Sequence, residues 1–342
     1  MKSVVFFNNK GGVGKTTLAC NVASHFAQKK LRVLLVDCDP QCNSSQLILR
    51  TETWTSLYWD ASKPTQQTLM DVVRPIELGD ADIKENIEPT LSSRNRFGVD
   101  LLPGHPRMSI IEDLLSKAWS ETLGGDIGGI RRTNWVSSLL AAYEDHYDVI
   151  IFDVGPSLGS LNRTVLIGCD MFVTPMGADI FSLVAIRNIA EWMANWILLY
   201  DTGLALCKDR HPGALEQYGV TLQADVALFG GYTVQQYITK SKQGVRRPTQ
   251  AFESILDDVP AEVAKHLGNR VYRNLEFGRL RLGDVPNMFS LIPLAQSVNT
   301  PISALKSSDG LAGGQYQQQR NYKLTIETVG DALLRNLELE CR

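Results

Sequence analysis

An α/β fold, a doubly wound and mostly parallel sheet flanked by helices, is predicted by three observations. Short, wholly apolar runs recur along the chain, as in strands buried on both faces. They alternate with stretches of helical periodicity. Polar or glycine-rich residues follow the C-terminal ends of the runs, where such a sheet collects its ligands. The runs lie at 4–7, 31–37 (LRVLLVD), 147–153 (YDVIIFD), 170–176 (DMFVTPM), 225–231 (DVALFGG) and 287–293 (NMFSLIP).

With 342 residues, 44% of them hydrophobic and 21% charged, the chain can bury one large α/β core or two small ones. No composition shift is sharp enough to divide it, so a single domain over 1–342 is expected, with atypical insertions near 51–98 and 200–223. The formal net charge of -3 excludes a wholesale polycation, and any nucleic-acid contact must come from a local patch. Six cysteines without a CxxC pair argue against zinc and iron-sulfur sites and fit reduced thiols. The N-terminal apolar run is too short for a signal peptide, and no run reaches the roughly 18 residues of a membrane span. A soluble cytoplasmic protein without membrane association is expected.

Along the chain, the first run enters the glycine-rich stretch NNKGGVGKTT (8–17), and TLACNVASHFAQKK then sets Leu18, Val22 and Phe26 on one helical stripe ending in lysines. The second buried run follows at 31–37. Residues 51–98 mix Trp54, Trp59, charges and turn formers, and 99–105 (VDLLPGH) reads as a strand at the sheet edge. GGDIGGIRR (124–132) and LAGGQYQQQ (311–319) read as flexible loops, since neither stands between a strand and a helix. Trp192 and Trp196, at i and i+4, read as core residues of a helix. The C-terminal TIETVGDALLRNLELE is amphipathic with an acidic polar face, which suits packing on the body better than a membrane surface.

Strand, glycine loop and helix in that order form a phosphate-binding context. Residues 9–16 (NKGGVGKT) fit GxxxxGK[ST] except that Asn9 replaces the first glycine. Gly11, Gly12 and Gly14 let backbone N–H groups turn toward phosphates, Lys15 brings positive charge and Thr16 a hydroxyl for magnesium. Asp153 ends a buried strand at the ligand edge, and Asp37 and Asp39 follow another strand end, with Pro40 stiffening the loop. Lys10 has no role in this general pattern; alone, it reads as a solvated lysine.

KGGVGKTT, with a lysine before the paired glycines, resembles the deviant Walker A loop of the ParA/MinD (SIMIBI) ATPases. VDCDPQCNSS (36–45) is similar to that family's switch I, and DVIIFDVGPSLGSLN (148–162) to its Walker B and switch II. The resemblance implies ATP and Mg2+ as cofactors, with Gly11, Gly12, Val13, Gly14, Lys15, Thr16 and Thr17 around the phosphates. It implies Thr16, Asp39 and Asp153 as magnesium residues, and Lys10, Lys15 and Asp39 as catalytic residues. Asp39 would orient or activate the attacking water, while Asp37 would support the magnesium shell or the loop. Gly155 and Pro156 would shape switch II. Lys10 would be the signature lysine, reaching the partner's phosphates in an ATP-dependent homodimer.

The resemblance is closest to ParA-type partition ATPases, which bind DNA non-specifically as ATP dimers with a ParB-like activator. The acidic C-terminal helix argues against the membrane-binding MinD branch. Between 240 and 281 nine basic residues oppose five acidic ones, making Lys240, Lys242, Arg246, Arg247, Arg270 and Arg273 the candidate DNA contacts, with Arg279 and Arg281 beside them. Two further readings stand beside partitioning: a regulatory or assembly switch that recruits a protein partner, and an ATP-dependent ligase of the same superfamily.

Overall fold

The structure, a computed structural model, describes all residues except 60–65, 223–224, 236–238, 243–244, 249, 287, 289 and 341–342. For 239–242, 245–248, 250–256 and 274 it describes the backbone alone.

The chain opens with β1 (Lys2–Phe6), α1 (Lys15–Gln28) and β2 (Val33–Asp37), then the short helices α2 (Asn43–Ile48), α3 (Thr51–Tyr58), α4 (Leu69–Val72) and α5 (Arg74–Glu77). It continues through β3 (Asp100–Leu102), α6 (Met108–Leu123), α7 (Ile127–Thr133), α8 (Trp135–Tyr143), β4 (Val149–Asp153), α9 (Ser160–Gly168) and β5 (Met171–Gly177). Then come α10 (Ile180–Arg210), α11 (Ala214–Gln217), β6 (Phe229–Gln235), β7 (Thr239–Lys242), β8 (Val245–Pro248) and α12 (Gln250–Leu267). The last elements are β9 (Arg281–Val285), α13 (Leu291–Ser297) and α14 (Gln315–Leu337).

Seven strands form one sheet in the order β3-β2-β4-β1-β5-β6-β9, with parallel pairing throughout. The doubly wound parallel sheet expected from the apolar runs is therefore present. Alternation along each strand divides the core. Val5, Leu34, Ile150 and Phe152 face Ile111, Trp135, Val165 and Ile189 of α6, α8, α9 and α10. Val4, Phe6, Leu35 and Ile151 face Leu18, Val22, Leu291 and Val329 of α1, α13 and α14. Both faces are covered, which is why β2 and β4 are buried at every position.

Several boundaries differ from the sequence expectation. The last strand is not 287–293 but Arg281–Val285 (RLGDV), and Leu291–Ser297 is helical. At the sheet edge β9 buries only Leu282 and Val285, with Arg281 exposed and Gly283 and Asp284 half-buried, so it lacks the continuous apolar run that marks a central strand. β6 begins at Phe229, four residues after the start of the run assigned to it. Within GGDIGGIRR only the first glycines form a turn: Asp126 caps a helix by accepting from the Gly129 amide at 2.7 Å. Gln315 likewise opens α14 inside the second expected loop. The segment 51–98 contains α3, α4 and α5, and much of 200–223 extends α10 and forms α11. Trp196 is buried and Trp192 partly so against the core, as expected.

Candidate functional site

β1 ends at Phe6, and buried Asn8 anchors the loop that follows. Its Nδ2 donates to the Pro175 carbonyl and its Oδ1 accepts from the Lys10 amide, both at 2.8 Å. Gly12 and Gly14 have φ of 73° and 75°, which glycine tolerates without the usual steric penalty. Gly14 is the N-cap of α1 and, among the described residues, no side chain caps that end, so first-turn N–H groups are left for a ligand. A Cβ on Gly14 would fall 2.3 Å from Gln235 Oε1, placing the end of β6 against the loop. Lys15 is buried and its Nζ donates to the Lys10 carbonyl at 3.3 Å. Burial pushes its pKa down, while the Asp153 and Asp39 charges oppose that shift.

Strand register brings the carboxylates together, because Phe6 pairs with Asp153, which in turn pairs with Asp37. Asp153 is fully buried, and its Oδ2 accepts from Ser44 Oγ at 2.6 Å. Among the described residues its buried Oδ1 has no hydrogen-bond partner. Burial pushes its pKa up to about 6, opposed by the Ser44 and Thr16 hydroxyls. Asp37 is differently engaged. Its Oδ2 accepts from the Ser45 amide and hydroxyl at 2.8 and 2.6 Å, and its Oδ1 from the Asp39 amide at 3.3 Å. Burial, and after it the Asp153 charge, push Asp37 up to about 8. Ser45 Oγ also accepts from the Gly104 amide at 2.9 Å, so Asp37 braces switch I. Of the two roles left open by the sequence, these bonds favour support of the loop.

Asp39 faces a cavity of about 640 Å³, together with Gly11, Gly12, Gly14, Lys15, Thr16 and Thr17. The Val13 side chain is buried outside that lining. Asp39 Oδ1 accepts from the Gln41 amide at 2.9 Å, and a Cβ on Gly155 would lie 3.2 Å from it, so switch I and switch II meet here. Trp54 and Thr51 of α3 also line the cavity. The sequence had assigned them to an insertion, and no local pattern marked them as wall residues. Sequence reasoning also missed Ser44 and Ser45, which hold the two buried carboxylates; their proximity to the aspartates of VDCDPQCNSS was the available signal. A smaller cleft that shares Gly14 and Thr17 with this cavity is also bounded by Gln235, Val285, Pro286 and Met288.

Lys10 is not solvated freely. Its Nζ forms an ion pair with Asp179 Oδ2 at 2.5 Å and lies 5.9 Å from the Phe181 ring centroid. Asp179 Oδ1 meanwhile caps α10, accepting from the Ser182 amide at 3.1 Å.

The structure splits the basic set. Lys240, Lys242, Arg246 and Arg247 lie on the antiparallel hairpin β7–β8, where Lys240 pairs in register with Arg247; their side chains lie outside the described residues. Arg270 donates to the Val226 carbonyl, and Arg273 pairs with Glu338 at 2.6 Å. Arg279 donates to the Arg335 carbonyl at 3.4 Å, and Arg281 pairs with Asp284 at 2.9 Å. The arginines after α12 are thus engaged with the body, a distinction invisible in a charge run.

A family model described as an AAA domain matches residues 1–202, more than half of the chain. The crystal structure of protein DIP2308 from Corynebacterium diphtheriae is 35% identical, with a TM-score of 0.78, covering 98% of this chain and 99% of that one. The chromosome partitioning protein ParA of Myxococcus xanthus is 31% identical over 185 residues, 54% of this chain and 55% of that protein. The structure of pNOB8 ParA bound to nonspecific DNA shares the fold at a TM-score of 0.56 and 17% identity, covering 98% of each chain. Phosphate loop, switch I and switch II meet around one cavity in this fold, and the chain belongs to the ParA/MinD-type P-loop ATPases.

Proposed function

We propose that this chain is an ATP-dependent dimerisation switch of the partition type, which binds ATP with Mg2+, hydrolyses it slowly and, as an ATP-bound homodimer, binds DNA non-specifically. The whole chain would act as one ATPase domain in the cytoplasm, with α3 contributing to the cavity. The observation that carries the reading is the buried Asp153 Oδ1, which among the described residues has no hydrogen-bond partner, at the ligand edge of the sheet and near the Thr16 hydroxyl. A buried carboxylate oxygen lacking a partner is costly, and hard oxygen donors from Asp153, Thr16 and Asp39 fit Mg2+. When bound, the ion supplies charge neutralisation at the phosphates.

The chain's own residues have separable tasks. The uncapped N-terminus of α1 and the loop amides cradle phosphate oxygens, and Lys15 exchanges the Lys10 carbonyl for them. Asp39, at the cavity wall beside Gly155, orients the attacking water; phosphoryl transfer asks chiefly for such positioning. Asp37 holds switch I in place through Ser45. Lys10 leaves Asp179 and reaches the phosphates bound by the second protomer.

DNA contact is assigned to the β7–β8 hairpin, since the arginines beyond α12 have partners within the chain. Those same contacts favour a second reading, a switch that recruits a protein partner, should the hairpin bind no DNA. Random duplex DNA titrated with and without ATP over a salt series tests the choice. ATP-dependent, salt-sensitive binding is expected, and its absence would leave the protein-recruiting switch. A ParB-like partner would raise phosphate release in the presence of DNA.

A further inference from the structure

Switch II leads into α9, and an unusual cap holds that helix. Its N-cap residue, Gly159, has no side chain with which to satisfy the first-turn amides. Glu112, on the second turn of α6, supplies both acceptors: Oε1 takes the Ser160 amide at 2.5 Å and Oε2 the Leu161 amide at 3.1 Å. Ser160 Oγ also donates to Ser116 Oγ, one turn further along α6, at 3.0 Å. The space is reserved for the carboxylate, because a Cβ on Gly159 would lie 2.1 Å from Glu112 Oε1. Glycine here is therefore a matter of close approach.

The contact continues toward the cavity. Asn162 of α9 donates through Nδ2 to the Gly155 and Ser157 carbonyls, both at 2.8 Å, tying the switch II loop to α9. Gly155 stands beside Asp39 Oδ1. One connected path therefore runs from α6 through Glu112, α9 and Asn162 to Gly155 and Asp39. One turn along α9, the Arg163 guanidinium also faces α6, lying 4.3 Å from the Trp119 ring centroid, and 5.8 Å from that of Trp192 of α10. Glu112 is the carboxylate whose charge favours the protonated guanidinium.

We propose that Glu112 is the positioning residue of switch II, setting the distance between Gly155 and Asp39 on which hydrolysis depends. It does not line the cavity, and acts through α9. A carboxylate at a helix N-terminus complements both the free amides and the helix dipole. The proposal rests on the ATPase reading above.

Four full-length proteins test it: Glu112→Ala, Glu112→Gln, Gly159→Ala and the double variant Glu112→Ala/Gly159→Ala. In Glu112→Ala, which removes both amide contacts, kcat for ATP hydrolysis should fall at least about tenfold, as for loss of charge-assisted hydrogen bonds. Affinity for a fluorescent ATP analogue should stay within about twofold, the split expected when an interaction matters only after binding. Glu112→Gln, keeping one acceptor, should fall between Glu112→Ala and wild type. Gly159→Ala should reproduce the kcat loss by displacing the carboxylate, and the double variant should be no slower than Glu112→Ala, because both changes remove one contact. Unchanged kcat in Glu112→Ala, or multiplied losses in the double variant, would overturn the proposal; so would kcat and ATP affinity falling together. If wild type hydrolyses no ATP, the ATPase reading fails by itself. Hydrogen exchange without nucleotide then decides the positioning claim: amides at 155–161 should exchange about tenfold faster in Glu112→Ala, and unchanged exchange refutes it.

Discussion

The ion pair between Lys10 and Asp179 gives the dimer proposal a measurable consequence. In a two-fold symmetric dimer both copies of Lys10 must leave Asp179 before they can reach the opposite phosphates. Each pair is short, at 2.5 Å, but its side chains are 31% and 35% exposed, so breaking it costs about 0.5–1 kcal/mol. Two such pairs make about 1–2 kcal/mol, or roughly 5- to 30-fold in the dimer dissociation constant. Asp179→Asn removes the charge while leaving an oxygen that can still cap α10 at the Ser182 amide. Sedimentation with a non-hydrolysable ATP analogue should therefore show a tighter dimer for Asp179→Asn. Lys10→Ala, with the trans contact removed, should show a weaker one while the monomer still binds nucleotide. A looser or unchanged Asp179→Asn dimer would refute the competition, and a looser one would mean that Asp179 guides Lys10 across.

Other predictions address the carboxylates and the hairpin. Asp39→Ala should slow single-turnover hydrolysis by about 100-fold or more with ATP binding and dimerisation intact; lost ATP binding would refute the water-orienting role and leave Asp39 chiefly a magnesium residue. Asp37, raised from 3.8 to about 8, binds a proton more readily in the folded chain than in the unfolded one between those pH values. Its contribution is therefore complete below about 4 and is lost as pH rises through about 8. Per pH unit this is about 1.4 kcal/mol, about 2 °C in Tm for a chain of this size. Melting in EDTA from pH 5 to 8 should show the slope in wild type and a flatter one in Asp37→Asn, and equal slopes would discard the assignment. Charge reversal of Lys240 and Arg247 should weaken DNA binding uniformly across sequences and lower the salt slope by about two; an unchanged slope would move the DNA contact off the hairpin.

What could be read from the chain depended on how local each feature is. Buried central strands announce themselves because both faces are covered, so β1, β2, β4 and β5 fell on apolar runs. The edge strand β9 buries only Leu282 and Val285 and carries Arg281 and Asp284; without a continuous apolar run to mark it, the expected strand starts six residues further on, at 287–293, and runs into α13. The phosphate loop was legible because its glycines, Lys15 and Thr16 are contiguous and its backbone does much of the work. Asp153 was legible because it ends β4, which pairs with β1, and Asp39 because it follows the end of β2, which pairs with β4.

The supporting contacts were not legible, and for a shared reason. Asp179 meets Lys10 across 169 positions, Glu112 meets Ser160 across 48, and Ser44 meets Asp153 across 109. A carboxylate on an otherwise ordinary helix carries no local sign that its partner is a switch amide. Gly159 comes nearest to such a sign: a glycine at an N-cap forgoes the side-chain cap that serine or aspartate would provide, and here it makes room for a carboxylate from α6. The same logic bears on Lys10. Its family role concerns a second protomer, whereas the single chain already supplies an anion, Asp179, at hydrogen-bond distance. A residue meant to cross an interface must be held somewhere before it crosses, and an exposed pair of modest strength can hold it while leaving the nucleotide to decide the outcome. In the proposed dimer, the strength of that resting contact, as much as the phosphate contact that replaces it, would set the ATP concentration at which two copies associate.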